Sequence, residues 1–180
     1  GVNIPGSRRV RLLRVGQRLL ARPLTGFASA RDSLVDAEGV ILPSYSDSHR
    51  ITVRPFDTDD LEETAIGVLG CDPAVALLEP GLRRYGVKLV WTEESSYQAL
   101  CGLAKGEAHV AGCHLKDEAT GLFNISWVQR IVPFACTLVT FASWRQGLIV
   151  APGNPRGVHR IYDLALPGLT IVNRQTGSGS

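Results

Sequence analysis

From Thr64 onward the chain alternates short apolar runs with capped helical segments, and this strand–helix–strand order constrains the fold more than any other feature of the sequence. Its clearest part is Glu94–Asn124, ESSYQALCGLAKGEAHVAGCHLKDEATGLFN. Ser95 suits a helix N-cap, and Gln98 three residues on completes a capping box. Tyr97, Leu100, Leu103 and Ala104 recur at helical spacing, and Gly106 stands where a helix-ending glycine belongs. Ala108–Cys113 then reads as a strand buried on both faces, ending at His114 and the polar run Lys116, Asp117, Glu118.

Two further units precede it. Ile66–Leu69 reads as a buried strand, followed by Gly70-Cys71-Asp72-Pro73, which offers an N-cap aspartate and a proline at the first helical position. Ala74, Leu77 and Leu78 share one face of that helix, Pro80-Gly81 breaks or kinks it, and a second turn runs to Tyr85 before Gly86. Val87–Trp91 is the next strand. A βαβαβ chain of this kind makes right-handed crossovers and a parallel sheet. All three strands then finish at one edge, which carries Cys71 and Asp72, Ser95 and Ser96, and His114. Open α/β sheets build ligand crevices at such an edge. Two helices begin there, and their N-terminal amides favour an anion. Asp72 would repel one, so its role is expected to be capping its own helix.

The chemistry these residues allow is binding. Cys71 at a helix start suits a thiol contact, and a Cys71–His114 nucleophilic pair is conceivable, but no third group is identifiable to orient it. His114 lacks a second histidine or carboxylate at metal spacing, so no metal site is expected. His109 reads as a core histidine, His49 and His159 as loop residues. Arg145 and Arg174 are guanidinium partners for a tetrahedral oxyanion. Asn173–Ser180, NRQTGSGS, is a glycine- and serine-rich run after a strand, and Ser178 within it can face an anion alongside backbone amides. The candidate ligand set is therefore Cys71, Ser95, Ser96, His114, Arg145, Arg174 and Ser178, with no catalytic residue and no required cofactor.

Composition narrows the partners. A net charge of +2 over 180 residues gives no reason to expect nucleic acid or a membrane surface. The four cysteines include no CxxC pair, and three sit in apolar surroundings, as small buried thiols in a reducing, cytoplasmic setting would. The chain opens on Gly1 and holds no methionine, which reads as a piece of a longer protein.

Before Thr64 the pattern is different. Val10 and Leu12 alternate with Arg9 and Arg11 as a half-exposed strand, Arg18–Leu24 is a second, and Val40–Leu42 and Ile51–Val53 are two more. Ala30–Ala37 fits a short helix. Arg8, Arg9, Arg11, Arg14, Arg18 and Arg22 read as a solvated face, with phosphate tracking as the alternative. Residues 1–56 are thus a small β-rich module, 57–64 an acidic linker (DTDDLEE lies at its heart), and 65–180 an α/β domain. In the last part Trp127–Pro133 is ambiguous. Cys136–Phe141, Leu148–Ala151 and Leu169–Val172 read as strands, Arg156–Leu164 as a short helix and Pro152-Gly153-Asn154-Pro155 as a turn.

Several motifs carry a family resemblance. They are Leu100-Cys101-Gly102-Leu103-Ala104-Lys105-Gly106-Glu107-Ala108-His109-Val110-Ala111-Gly112, His114-Leu115, Thr120-Gly121-Leu122-Phe123-Asn124, Arg145-Gln146-Gly147-Leu148, Gly153-Asn154-Pro155, Asp163-Leu164 and Asn173-Arg174-Gln175. Through them Glu62–Ser180 resembles the periplasmic-binding-protein-like domain of cytoplasmic prokaryotic proteins of molybdenum metabolism. That resemblance implies two α/β lobes clasping an oxyanion such as molybdate or tungstate, with the second lobe truncated here. It departs from the pattern at Gly70-Cys71-Asp72-Pro73, where the family often has Ser-His-Asp-Pro. Arg22-Pro23-Leu24, Ser29–Leu34, Ala37–Pro43 and Ile51-Thr52-Val53 make Arg8–Arg54 resemble the C-terminal β-barrel module of molybdopterin molybdotransferase.

The order of the two resembles known fusions. It implies an oxyanion-binding or sensing module of a molybdopterin biosynthesis protein, whose parent inserts molybdate into molybdopterin. The partner implied is a small oxyanion or a molybdopterin-related ligand, with a homodimer as the candidate assembly. The effector domain of a transcription regulator is the alternative, and it requires DNA-binding helices upstream.

Overall fold

The computed structural model describes residues 9–24, 36–42, 51–58, 64–143, 145 and 147–172. Two sheets form. β1 (Arg9–Val15), β2 (Arg18–Pro23), β3 (Gly39–Leu42) and β4 (Thr52–Pro55) make an antiparallel sheet in the order β2-β1-β3-β4. β5 (Ala65–Leu69), β6 (Lys88–Thr92) and β7 (Val110–Ala111) make a parallel sheet in the order β6-β5-β7. The chain is thus mixed α/β, as its alternating grammar predicts. The expected Ala30–Ala37 helix and the 57–64 connector lie largely outside the described residues.

β5 is the centre of the parallel sheet and is covered on both faces. Val68 packs with Val75 and Leu89 on one side, joined by Ile66, Leu82 and Trp91. Leu69 packs with Ala99 and Ala108 on the other. The first of these layers comes from a 3-10 helix, Pro73–Leu78, running into α1 (Glu79–Arg83). Pro80 explains the split: it has no N–H to bond the Ala76 carbonyl and its ring crowds that carbonyl, so an α-helix cannot run through from Pro73. Glu79 N bonds the Ala76 carbonyl instead, closing a tighter turn. The tighter turn points Val75 at the sheet and leaves Leu77 79% exposed, against the α-helical face expected from the sequence.

α2 (Ser96–Ala104) begins at Ser95, whose Oγ accepts from Gln98 N at 3.4 Å. It ends in a Schellman turn: Gly106 N donates to Leu103 O at 3.0 Å and Glu107 N to Gly102 O at 2.9 Å, with Gly106 at φ +68°. Its buried stripe is Ser96, Ala99, Leu100 and Gly102, rotated from the expected one. Tyr97 is displaced to the surface, where it meets Trp127 edge-to-face at 6.4 Å. Gly102 costs the helix about 1 kcal/mol relative to alanine, yet a Cβ there would collide with Leu69 Cδ1. It is the residue that lets α2 lie directly on β5. α3 (Ile125–Ile131) resolves the ambiguous stretch as a helix, placing Val132 and Leu115 in a third cluster with Leu100.

The two sheets pack against each other through β1. Leu13, 1% exposed, fills the space over Gly67, where a Cβ would overlap its Cδ2. Arg11 shares that face, two residues away. Its guanidinium donates to the Leu89 carbonyl at 2.7 Å and pairs with Glu38 at 3.3 Å, while Lys88 from β6 reaches the same carboxylate at 2.9 Å. Arg18 donates to Lys105 O at 2.8 Å, and Arg22 donates to Glu107 O. Of the arginines read as a solvated face, Arg11 therefore fastens β1 to β6, while Arg22 and the exposed Arg18 tie β2 to the turn after α2. β1 itself is covered on both faces, with Val10 and Leu12 buried on the side opposite Leu13.

After Val132 the chain departs further from expectation. Cys136–Phe141, Leu148–Ala151 and Leu169–Val172 pair with no strand among the described residues, and Val139, Ile149 and Val172 are 75%, 102% and 96% exposed. Strand propensity reflects packing against neighbours, and none among the described residues supplies it. The expected Arg156–Leu164 helix is a 3-10 turn at Ile161–Ala165. Asn154, at φ +47°, closes the Gly153-Asn154-Pro155 turn with its side-chain amide, which donates to Val158 O at 2.9 Å and accepts from Val158 N at 3.0 Å.

Candidate functional site

The strand order puts β5 between β6 and β7, so the chain leaves β5 toward one side of the sheet and later arrives on the other. The carboxyl end of β5 is a topological switch point, the place where open α/β sheets leave a crevice. Cys71 follows β5 and His114 follows β7, the two strands that flank the switch. Their side chains meet across it, with Sγ 3.2 Å from Nε2, and both residues are half-buried.

Each is held by its own local structure. The Gly70 carbonyl accepts from Trp91 Nε1 at 2.9 Å, and Gly70 N donates to Thr92 O at 3.2 Å, which pins the turn carrying Cys71 to β6. Asp72 accepts from Ala74 N at 2.9 Å, the cap expected of it. On the other wall, Gly112 N donates to Leu69 O at 2.7 Å. His114 N donates to the Ser96 hydroxyl at 3.2 Å. Ser96 is fully buried, so its hydroxyl sets the position of the His114 backbone from inside α2. Ser95 is half-buried at the helix entrance, with the first amides of α2 directed toward the same edge.

The structure thus links Cys71, His114 and Ser96, with Ser95 beside them as the N-cap of α2; the Ser96 hydroxyl, expected to meet a ligand, is instead buried and taken by the His114 amide. Arg145 is exposed in the segment after α3 and bonds to none of them. Arg174 and Ser178 lie outside the described residues. His109, expected in the core, is exposed at the sheet edge, though its Nδ1 accepts from Gly67 N at 3.0 Å. β7 is only two residues long and pairs on one side, so the run Ala108–Cys113 is not buried on both faces as expected.

The polar run after His114 has a structural role that composition could not distinguish from a ligand role. Asp117 Oδ1 accepts from Ala119 N, Thr120 N and Thr120 Oγ1 at 3.1, 3.1 and 3.2 Å. Its Oδ2 accepts from Ser126 Oγ at 2.6 Å and Arg130 at 3.0 Å. Arg130 in turn stacks over Trp127, 4.5 Å from the ring centroid. The signal for this hub was available as Asp117-x-x-Thr120, an aspartate three residues before a threonine in a turn. Hydrogen bonds, first from Ser126 and then from the Thr120 backbone, hold the Asp117 carboxyl down at about 2 from an ordinary 3.8. The folded form therefore binds this proton less readily than the unfolded form. Its contribution to stability is present above about pH 4 and is lost as pH falls toward 2. Acid titration of the unfolding midpoint is expected to show this loss in the wild type, and Asp117→Asn is expected to flatten it. An unchanged acid limb in the variant would refute the assignment.

Among the described residues no group of three or more His, Cys, Asp or Glu is placed to hold a metal ion, and no helix is long and apolar enough to cross a membrane. Comparison with known proteins is informative at the family level. A relative from Bacillus subtilis (strain 168), the uncharacterized protein YvgK, is 32% identical over 108 residues, which cover 58% of this chain and 32% of that protein. The chain thus spans about a third of the length of the curated relative it matches. No solved structure matches it. The family model described as the PBP superfamily domain matches residues 81–180, which include α2, β7, His114 and α3. With a parallel sheet, a topological switch point and a match over more than half its length, the chain belongs to the periplasmic-binding-protein superfamily.

Proposed function

We propose that the chain is the ligand-binding module of a protein of molybdenum-cofactor biosynthesis, and that it takes a small tetrahedral oxyanion, molybdate or tungstate. The observation that carries the reading is the switch point at the carboxyl end of β5, where Cys71 meets His114 and the first residue of α2, Ser96, holds the His114 backbone. An anion there gains from the helix dipole and from amides with no partner inside the helix. The Asp72 carboxylate, next to Cys71, accepts from its own helix at Ala74 N. Membership of a ligand-binding superfamily supports binding as the task. The choice of molybdate or tungstate rests on the resemblance to proteins of molybdenum metabolism. The packing of the antiparallel sheet onto the parallel one suits a module built into a larger biosynthetic protein, whose parent would insert molybdate into molybdopterin.

Thermal unfolding with millimolar molybdate, tungstate or sulfate tests this. A ligand at a hundredfold over its Kd stabilises by about 2.7 kcal/mol, which is roughly 5–10 °C for a chain of this size. Molybdate and tungstate are expected to give that rise and sulfate a smaller one. Equal shifts with all three, or none, would remove the oxyanion assignment.

A further inference from the structure

We propose that Cys71 and His114 form a thiol–imidazole pair in which the imidazole takes the thiol proton, making Cys71 the residue at which hydroperoxides and alkylating electrophiles modify this protein. The Sγ–Nε2 separation of 3.2 Å allows direct proton transfer, and both residues, at the carboxyl ends of β5 and β7, are half-buried and so within reach of a small reagent. Both sides of the contact are fixed. The Cys71 turn is tied to β6 through Gly70, and the His114 backbone is tied to the buried Ser96 hydroxyl.

The other cysteines lack this arrangement. Cys113 is held protonated, its thiol pushed up to about 11 by burial and, less, by Cys136 nearby. Cys101 is half-buried within α2, and Cys136 is exposed. Among the described residues, Cys71 is the cysteine in contact with a histidine.

With a hydroperoxide the step is a two-electron oxidation of sulfur. Sγ gives its proton to Nε2 and attacks the distal peroxide oxygen. The S–O bond forms as the O–O bond breaks, and the departing oxygen recovers the proton as water or an alcohol. The product is a sulfenic acid on Cys71. With iodoacetamide an S–C bond forms, iodide leaves, and the proton passes through His114 to solvent. Because the proposed oxyanion would sit beside the same His114, both reactions are measured without added oxyanion.

The experiment is site-resolved alkylation of the full chain by iodoacetamide at neutral pH, followed by peptide mass spectrometry, with a dimedone trap after peroxide as a parallel measurement. An isolated thiol is only a few per cent ionised at this pH, so a base-assisted thiol is expected to react about tenfold faster. Cys71 should therefore label about tenfold faster than the exposed Cys136. His114→Gln should remove that advantage while leaving the Cys136 rate unchanged. Cys113 labelling reports on folding in the same sample, and if His114→Gln exposes Cys113 the wild-type ratio of Cys71 to Cys136, with sulfenate trapped at Cys71 alone, decides. Equal rates at Cys71 and Cys136 in the wild type, or an unchanged Cys71 rate in a folded His114→Gln variant, would overturn the proposal.

Discussion

Glu38→Ala is expected to destabilise the fold by about 3–5 kcal/mol, the cost of leaving buried charge without its counter-ion. Glu38 is 7% exposed, and the side chains of Arg11 and Lys88 that meet it are 12% and 10% exposed. The other carboxylate oxygen accepts from Leu12 N at 2.6 Å, so the substitution also strands a backbone donor of β1. At this chain length the loss corresponds to a drop of roughly 10 °C in the unfolding midpoint. Replacing the group as a whole, with Arg11→Met, Glu38→Leu and Lys88→Met together, should recover much of the loss, because an apolar set of similar volume needs no counter-ion. Thermal or urea unfolding of the single and triple variants measures both. A single-variant change within about 0.5 kcal/mol, the range of ordinary surface substitutions, would show that the triad does not fasten the sheets.

Gly67→Ala is the second large effect. The new methyl group would overlap Leu13 Cδ2 and stand 3.2 and 3.3 Å from its Cδ1 and Cγ. Leu13 is 1% exposed, so it cannot move out into solvent without losing its burial. Overpacking of this kind costs about 1–3 kcal/mol. The physical claim is specific to one pair, so the double variant decides it. Leu13→Ala alone is expected to cost about 2–5 kcal/mol through the cavity it leaves. Adding Gly67→Ala to it should cost nothing further or restore part of the loss, giving a coupling of about 1 kcal/mol or more. Strict additivity in urea unfolding would mean that β1 and β5 do not meet at these residues.

What the sequence disclosed and what it withheld divide along the range of the interactions. Ser95, Asp72, Gly86 and Gly106 act on their own neighbours within a few residues, and each stands where its local chemistry places it. The parallel arrangement followed from the alternation of strand and helix. The position of β5 between its partners did not, since nothing in a single strand states which neighbours it will pair with. That order is what makes Cys71 and His114 meet, so the candidate residues were legible and their contact was not. Ser96 was legible as a site residue but not in its role, since nothing local in the sequence shows that its hydroxyl is buried and holds the His114 backbone. The bonds of Arg11, Arg18 and Arg22 were hidden for a related reason. Their acceptors lie 78, 87 and 85 residues away along the chain, and alternating charge on a strand looks the same whether it faces water or another sheet. Apolar runs after Val132 have strand composition without strand partners among the described residues, and composition alone does not supply the ladder.

The bonds from Arg18 and Arg22 end on main-chain carbonyls, those of Lys105 and Glu107 just past α2. Every amino acid carries that acceptor, so the two sides of the contact tolerate substitution unequally. Positions 105 and 107 can change identity without losing these bonds, whereas positions 18 and 22 each need a side chain long enough to reach across and donate. A library randomised at all four positions and selected for folding should therefore keep long donors at 18 and 22 and drift freely at 105 and 107.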